Sequence, residues 1–275
     1  MVCAQLKHPL VITMAESFSV ERRRIMRMLG AKVILTPAAL RGSGMVAKAG
    51  ELAAKHGWFW TRQFENSANP AFHAQTTGPE ILLDFSKRRL DYLVLGYGTG
   101  GTFHGASKVV KAARPDVKII LSEPSNAALV TSGVPQERNP DFTPSKTHPK
   151  FSPHPIQGWT PDFIPKIVED GLNLNLADQV ITVTGDESIA CSKMLAQQEG
   201  IFTGISGGGS FASALQVAKS APKNSVILTV LADTAERYLS TPLFQTIQQD
   251  MNEEELKISL STPYAQLPPP APAKN

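Results

Sequence analysis

DYLVLGYGTGGT, residues Asp91 to Thr102, is a short apolar run that passes directly into a glycine-dense turn. Leu93, Val94 and Leu95 are too few for a helix and read as a buried strand. Gly96, Gly98, Gly100 and Gly101 leave their backbone N–H groups uncovered by side chains. A turn of this kind that opens a helix brings those donors to the positive end of the helix, which makes it a natural anion site. Two ligands suit it. As Gly96-x-Gly98-x-x-Gly101 it matches a dinucleotide fingerprint, with Glu123 at about the distance expected of a ribose-binding acid. As Gly98-Thr99-Gly100-Gly101-Thr102 it adds two hydroxyls and suits a compact phosphate monoester. A tight strand-to-helix turn with no ligand accounts for the same glycines.

Upstream, Leu10 to Met14 reads as a strand that follows the end of a short helix. Ser17 or Ser19 can cap the next helix, where Ile25, Met28 and Leu29 share a face. Arg22, Arg23, Arg24 and Arg27 read as its solvated surface. Val33 to Thr36 is a second strand, and Gly44 to His56 a helix closed by Gly57. Trp58 to Gln63 is strand-like, and the loop Phe64 to Pro70 breaks it. Ala71 to Ser86 reads as a helix interrupted near Gly78-Pro79. Beyond the glycine turn come a helix through Ala113 and a strand from Val117 to Ser122. Strands alternating with helices predict an α/β fold with a parallel sheet, whose ligands bind beyond the carboxyl ends of the strands.

Seven prolines between Asn126 and Pro165 mark a long irregular excursion, and loops of that length are usually functional or mobile. Its His148 and His154 match no metal-ligand spacing. Val180 to Val183, a helix from Asp186 to Glu199, a second glycine-rich turn at Gly204 to Ser210, and a strand from Val226 to Leu231 complete the pattern. The excess of 27 Lys plus Arg over 24 Asp plus Glu is too slight to argue for nucleic acid. Cys3 and Cys191 suggest neither a disulfide framework nor a zinc site. No signal-peptide h-region or membrane-length apolar run is present, so a reducing, cytoplasmic setting without membrane contact is expected.

Several stretches, in order, resemble the cysteine synthase (O-acetylserine sulfhydrylase) group of fold-type II pyridoxal-phosphate enzymes. They are Met14 to Arg24, Gln63-Phe64 with Asn69-Pro70, Thr76 to Glu80, Gly98 to Thr102, Gln157-Gly158, Phe163 to Pro165, Gly204 to Gly207 and Glu236 to Thr241. The resemblance implies two lobes: residues 1–65 as a remnant of the small lobe and 66–250 as the large, phosphate-binding lobe. Residues 251–275 are then a polar tail, extended and disordered around Pro268 to Ala273. It further implies that Gly98, Thr99, Gly100, Gly101 and Thr102 wrap the phosphate of pyridoxal 5'-phosphate and that Ser206 meets the pyridine nitrogen. By the same resemblance Gln63 binds the carboxylate of an amino-acid substrate, and Gly158, with Trp159, belongs to a closing loop. Apart from the resemblance, Ser206 reads as an ordinary helix N-cap and Trp159 can be a packing anchor. The implied activity is replacement of the beta substituent of an activated serine, O-acetylserine plus sulfide giving cysteine. The family is commonly homodimeric, which leaves a homodimer open.

The chain also departs from the family. Its Schiff-base lysine and the Thr-Ser-Gly-Asn-Thr-Gly loop have no counterpart, as though the chain were truncated ahead of Met1. Lys48, Lys108 and Lys193 fall on helices in unrelated positions. No catalytic residue is therefore assigned, and the expectation is a chain that does not turn over alone, or a non-catalytic relic or regulatory binder that keeps the phosphate site. A nicotinamide-dependent oxidoreductase is the distant alternative. The Pro-rich stretch from Gln136 to Pro155 is an insertion, and a small lobe without its first strands should expose sheet edges and apolar surface.

Overall fold

The computed structural model describes residues 1–267. In chain order the elements are α1 (Val2–Gln5), β1 (Val11–Ala15), α2 (Val20–Met28), β2 (Lys32–Thr36), α3 (Arg41–His56), α4 (Ala68–Gln75), α5 (Thr77–Asp84), β3 (Tyr92–Gly96) and α6 (Gly101–Ala113). They continue with β4 (Lys118–Pro124), α7 (Lys166–Asn173), β5 (Gln179–Val183), α8 (Gly185–Glu199), α9 (Ile205–Ser220), β6 (Ile227–Thr229) and α10 (Glu253–Leu260). Two parallel sheets result: β1 beside β2, and a four-stranded sheet in the order β5-β4-β3-β6. The α/β fold read from the alternation is the one observed.

β3 is central, and its sequence shows why. Leu93 and Leu95 pack on one face with Phe103, Ile119 and Leu121, while Val94 packs on the other with Ile120, Ile181 and Val217. A strand buried on both faces needs a continuous apolar run, since parallel sheets are covered on each side by helices. α6 covers the first face and α9 the second. The carboxyl end of β3 is thereby held rigidly where the glycine turn begins.

Other local expectations are revised. Trp58 to Gln63 forms no strand: Gly57 leaves α3 in a left-handed conformation, Trp58 stacks on His56, and Arg62 at φ 49° breaks the extended run. The helical break falls at Thr76 (φ −123°, ψ −77°) and not at Gly78-Pro79. Pro79 sits in the first turn of α5, where a missing N–H costs nothing. Ser19 is the N-cap of α2, but its hydroxyl donates to the Arg237 carbonyl at 2.7 Å and not to the helix. Met28 is 92% exposed while Ile25 and Leu29 are each 36% exposed, so the Ile25, Met28, Leu29 face is only partly covered.

The basic run of α2 is not simply solvated. Arg22 pairs with Asp233 at 3.3 Å and lies over the Tyr238 ring at 4.9 Å, while Arg23 donates to the Phe18 carbonyl at 3.0 Å. Within the segment read as a tail, Glu253–Leu260 is helical, with Asn252 and Glu255 forming a reciprocal cap. The expected disorder of Pro268 to Ala273 lies outside the described residues. Ile34 and Leu35 of β2 are exposed, and the β1–β2 pair has no further strand on either edge among those residues.

Candidate functional site

The turn between β3 and α6 is built on Gly100, whose φ of 87° is left-handed and which serves as the N-cap of α6. Among the described residues, no acceptor takes the main-chain N–H groups of Gly98, Thr99 or Gly100. The Gly101 N–H has only a 3.3 Å approach to Thr99 Oγ1, two residues before it. These donors lie at the N-terminus of α6, where the helix adds positive potential. Thr102 Oγ1 lies 3.3 Å from His73 Nε2, and His73 Nδ1 is 2.9 Å from Thr77 Oγ1. Burial lowers the His73 pKa and favours its neutral form beside the turn.

The turn is wedged from two sides. A Cβ on Gly98 would fall 2.3 Å from the Gly158 carbonyl oxygen, and one on Gly101 would fall 1.9 Å from Asn69 Oδ1. Gly158 has φ 97°, which lets its loop double back, and Thr160 N–H then bonds the Tyr97 carbonyl at 2.8 Å. Trp159 is a packing anchor: its indole fills the space over Gly96 and reaches Gly209 on α9. The loop through Gln157 and Gly158 is thus docked against the glycine turn.

Ser206 lies one helical turn before Gly209, on the same face of α9. It is not the N-cap, a position Gly204 occupies, so the ordinary capping explanation fails. Its hydroxyl is 5% exposed with its residue and has no hydrogen-bond partner among the described residues. Gln63 is exposed, on the loop before α4, and its carbonyl accepts from Asn69 Nδ2 at 2.9 Å. The same nitrogen reaches Thr99 Oγ1 at 2.9 Å. Asn69 therefore joins two predicted site segments. The sequence offered only an Asn-Pro pair before a helix as its signal.

Glu123 is not available to a ribose. It is fully buried and accepts from Tyr97 Oη at 2.9 Å, Val130 N–H at 3.0 Å and Thr131 N–H at 2.9 Å. Burial, reinforced by the Glu123 charge, raises the Tyr97 pKa well above the phenol range. The dinucleotide reading loses its acidic residue. His148 and His154 bond the carbonyls of Val134 and Thr160 at 3.0 and 2.9 Å, as structural histidines do.

A pyridoxal phosphate fits these donors. Free amides and a helix N-terminus suit its phosphate, and an unpartnered, neutral hydroxyl on the neighbouring helix suits its ring nitrogen.

Residues 1–233 match the family described as pyridoxal-phosphate dependent enzyme. The chain is 41% identical over 253 residues to O-ureido-L-serine synthase of Streptomyces lavendulae, covering 92% of this chain and 72% of that protein. It is 39% identical over 243 residues to cysteine synthase of Staphylococcus aureus, covering 88% and 72% respectively. The crystal structure of O-ureido-L-serine synthase superposes with a TM-score of 0.82 at 40% identity, over 94% of this chain and 75% of that one. With its parallel α/β architecture and its glycine turn at the end of the central strand, the chain belongs to the cysteine synthase group of fold-type II pyridoxal-phosphate dependent enzymes.

Proposed function

We propose that the chain binds pyridoxal 5'-phosphate at Gly98 to Thr102 and takes an activated serine as substrate, in the beta-replacement class that yields cysteine from O-acetylserine and sulfide. The observation that carries this reading is the set of main-chain donors at Gly98, Thr99 and Gly100 left without an acceptor among the described residues, at the N-terminus of α6. Likeness to a cysteine synthase and to an O-ureido-L-serine synthase supports the reaction class. Bound there, the cofactor supplies an electron sink for carbanion chemistry at an amino acid.

The protein's own part is binding and orientation. The amides of the turn and the Thr102 hydroxyl hold the phosphate. Ser206 offers a neutral partner to the ring nitrogen and does not hold a proton on it as a carboxylate would. The Gln63 amide, at the mouth of the turn, orients the substrate carboxylate. Gly158 brings main chain against the turn, and Trp159 fills the space beneath it and excludes water.

The lysines singled out in the sequence do not serve the site. Lys48 on α3 bonds Glu51, Lys193 on α8 bonds Thr246, and Lys108 lines a groove between α5 and α6. With none of these three amines placed to serve the glycine turn, the reading is that the chain by itself binds the cofactor without completing turnover.

The test is a titration followed by absorbance, before and after borohydride, with peptide mapping. Pyridoxal 5'-phosphate should bind at least about tenfold tighter than pyridoxal, as expected if phosphate contacts carry the affinity, and no single lysine should be reduced. Equal binding of pyridoxal would sink the phosphate assignment. One stoichiometrically reduced lysine would show that the chain supplies its own amine.

A further inference from the structure

Residues 136–155 reach two stretches beside the phosphate site, Ile164 to Glu169 and the loop at Arg62. Arg138 and Pro144 form an antiparallel bridge that closes a hairpin with Asn139 to Thr143 at its tip. The base of the hairpin is fixed to the stretch that follows the docked loop: Arg138 donates to the Ile164 carbonyl at 2.7 Å and to Glu169 at 3.1 Å, and Gln136 Oε1 accepts Ile164 N–H at 3.1 Å. The tip is ordered by Asp141, whose Oδ1 accepts from Thr143 N–H at 3.1 Å and Thr143 Oγ1 at 2.6 Å.

Across from the tip stands Arg62, the residue before Gln63. Its guanidinium donates to the Asp141 carbonyl and lies 3.8 Å from the Asp141 carboxylate. Arg62 has φ 49°, a conformation that non-glycine residues hold only where surroundings enforce it. That conformation turns its carbonyl to accept both Glu65 N–H at 3.0 Å and Asn66 N–H at 2.9 Å, which closes the loop bearing Gln63.

We propose that the hairpin tip Asn139 to Thr143 is a positioning element for the substrate loop, with Asp141 clamping Arg62 so that Gln63 stays at the mouth of the glycine turn. This rests on the assignment of Gln63 to the substrate carboxylate. The tip makes its hydrogen bond to Arg62 through a main-chain oxygen, so the decisive variant replaces residues 139–143 with Gly-Gly, leaving Arg138 and Pro144 to close the shorter hairpin. Asp141→Ala, which keeps the main-chain oxygen, is the milder companion should the shortened chain fail to fold.

Two readouts on the full chain test the proposal. Amide exchange at Glu65 and Asn66 should accelerate by about tenfold or more in the shortened variant and less in Asp141→Ala. With the cofactor bound, O-acetyl-L-serine should bind about fivefold or more weakly, whereas O-acetylethanolamine, which lacks the carboxylate, and the cofactor itself should bind as before. Unchanged exchange overturns the clamp. Accelerated exchange with equal loss for both amine ligands overturns the link to the carboxylate. If the intact chain takes up neither cofactor nor amino acid, the functional reading of the site fails on its own, and with it the role given to Gln63, while the exchange rates still decide whether the tip clamps the loop.

Discussion

Asn69 Nδ2 lies 2.9 Å from Thr99 Oγ1, and the same nitrogen lies 2.9 Å from the main-chain oxygen of Gln63. One carboxamide thus couples the loop that carries the candidate substrate residue to the turn that carries the candidate phosphate donors. Its Oδ1 stands over Gly101, where a Cβ would come within 1.9 Å. Asn69 is a direct hydrogen-bonded bridge between the two, beside the packing of α4 on α6 through His73 and Thr102.

Asn69→Ala should therefore weaken two functions together. Losing two modest hydrogen bonds predicts a stability loss of about 1–2 kcal/mol. Binding of pyridoxal phosphate and of the amino acid should both fall, since turn and loop loosen in concert. Urea denaturation and paired titrations check this, and wild-type values in both would remove Asn69 from the site.

Gly98→Ala tests the turn itself. The new Cβ would meet the Gly158 carbonyl oxygen at 2.3 Å, and because both atoms belong to tightly held backbone, one segment must move. A displacement approaching 1 Å at the donors predicts a loss of cofactor affinity of about tenfold to a hundredfold. Fluorescence titration with pyridoxal phosphate measures it, and retained affinity would mean that these amides do not bind the phosphate.

Glu123 separates the two readings of the same glycines. Glu123→Ala leaves the buried Tyr97 Oη without an acceptor and frees the part-buried N–H groups of Val130 and Thr131. With about 1–3 kcal/mol for the one buried donor and less for the two part-buried ones, the loss should be about 2–4 kcal/mol, against about 1–2 kcal/mol for Tyr97→Phe. Denaturation midpoints measure both. Nicotinamide dinucleotide should not shift either one, and a saturable stabilisation by it would revive the dinucleotide reading.

The sequence reading succeeded where chemistry is local. An apolar run followed by glycines states both burial and the need for close approach, so β3, the turn and α6 were legible in DYLVLGYGTGGT. Trp58 to Gln63 misled because alternating aromatic residues look like a strand, while the left-handed turn at Arg62, whose carbonyl accepts from Glu65 and Asn66 N–H, leaves no mark in the alternation. The same holds for the basic run of α2: periodicity placed Arg22 on a helix surface, but only the fold brings Asp233 and Tyr238 to it. Asn69, Asp162 and the Asp141 tip act across long sequence separations, which spacing rules do not reach. Glu123 stands at the spacing of a ribose-binding acid, but distance along the chain says nothing of which donors surround a carboxylate.

Two histidines make stability depend on pH. Burial lowers the pKa of His154 and of His73 from the ordinary value of 6.5. Below that value the unfolded chain takes up protons that the folded chain refuses, so stability rises with pH across this window and is lost as pH falls from about 6.5 toward the folded-state values. His154 Nε2 is 2.9 Å from the Thr160 carbonyl, a bond that a Gln side chain can also make. His154→Gln should flatten the slope of the melting temperature between about pH 6.5 and pH 5 without much altering its value near pH 8. An unchanged slope would place the dependence elsewhere.

Asp162 fastens the first sheet's helix to the loop behind the glycine turn. It is 1% exposed, and its Oδ1 accepts Ser43 N–H at 2.9 Å while its Oδ2 accepts Ser43 Oγ at 2.5 Å and Thr147 Oγ1 at 2.7 Å. Its own carbonyl accepts His148 N–H at 2.7 Å. A carboxylate at the first turn of α3 also answers the positive end of that helix. Since α3 packs on β1, with Thr13 Oγ1 bonded to the Met45 carbonyl at 3.0 Å, this single side chain ties the two-stranded sheet to the site. Asp162→Ala leaves three part-buried donors without their acceptor and should cost about 2–3 kcal/mol, whereas Asp162→Asn keeps the volume and one oxygen and should cost about 1–2 kcal/mol. The two variants also differ in where the loss appears. Amides in the first turn of α3 should exchange faster in the alanine variant while those of β3 and α6 keep their protection, because the core of the four-stranded sheet does not pass through Asp162. If protection falls uniformly across both sheets, the link is part of one cooperative unit and not a fastening between two.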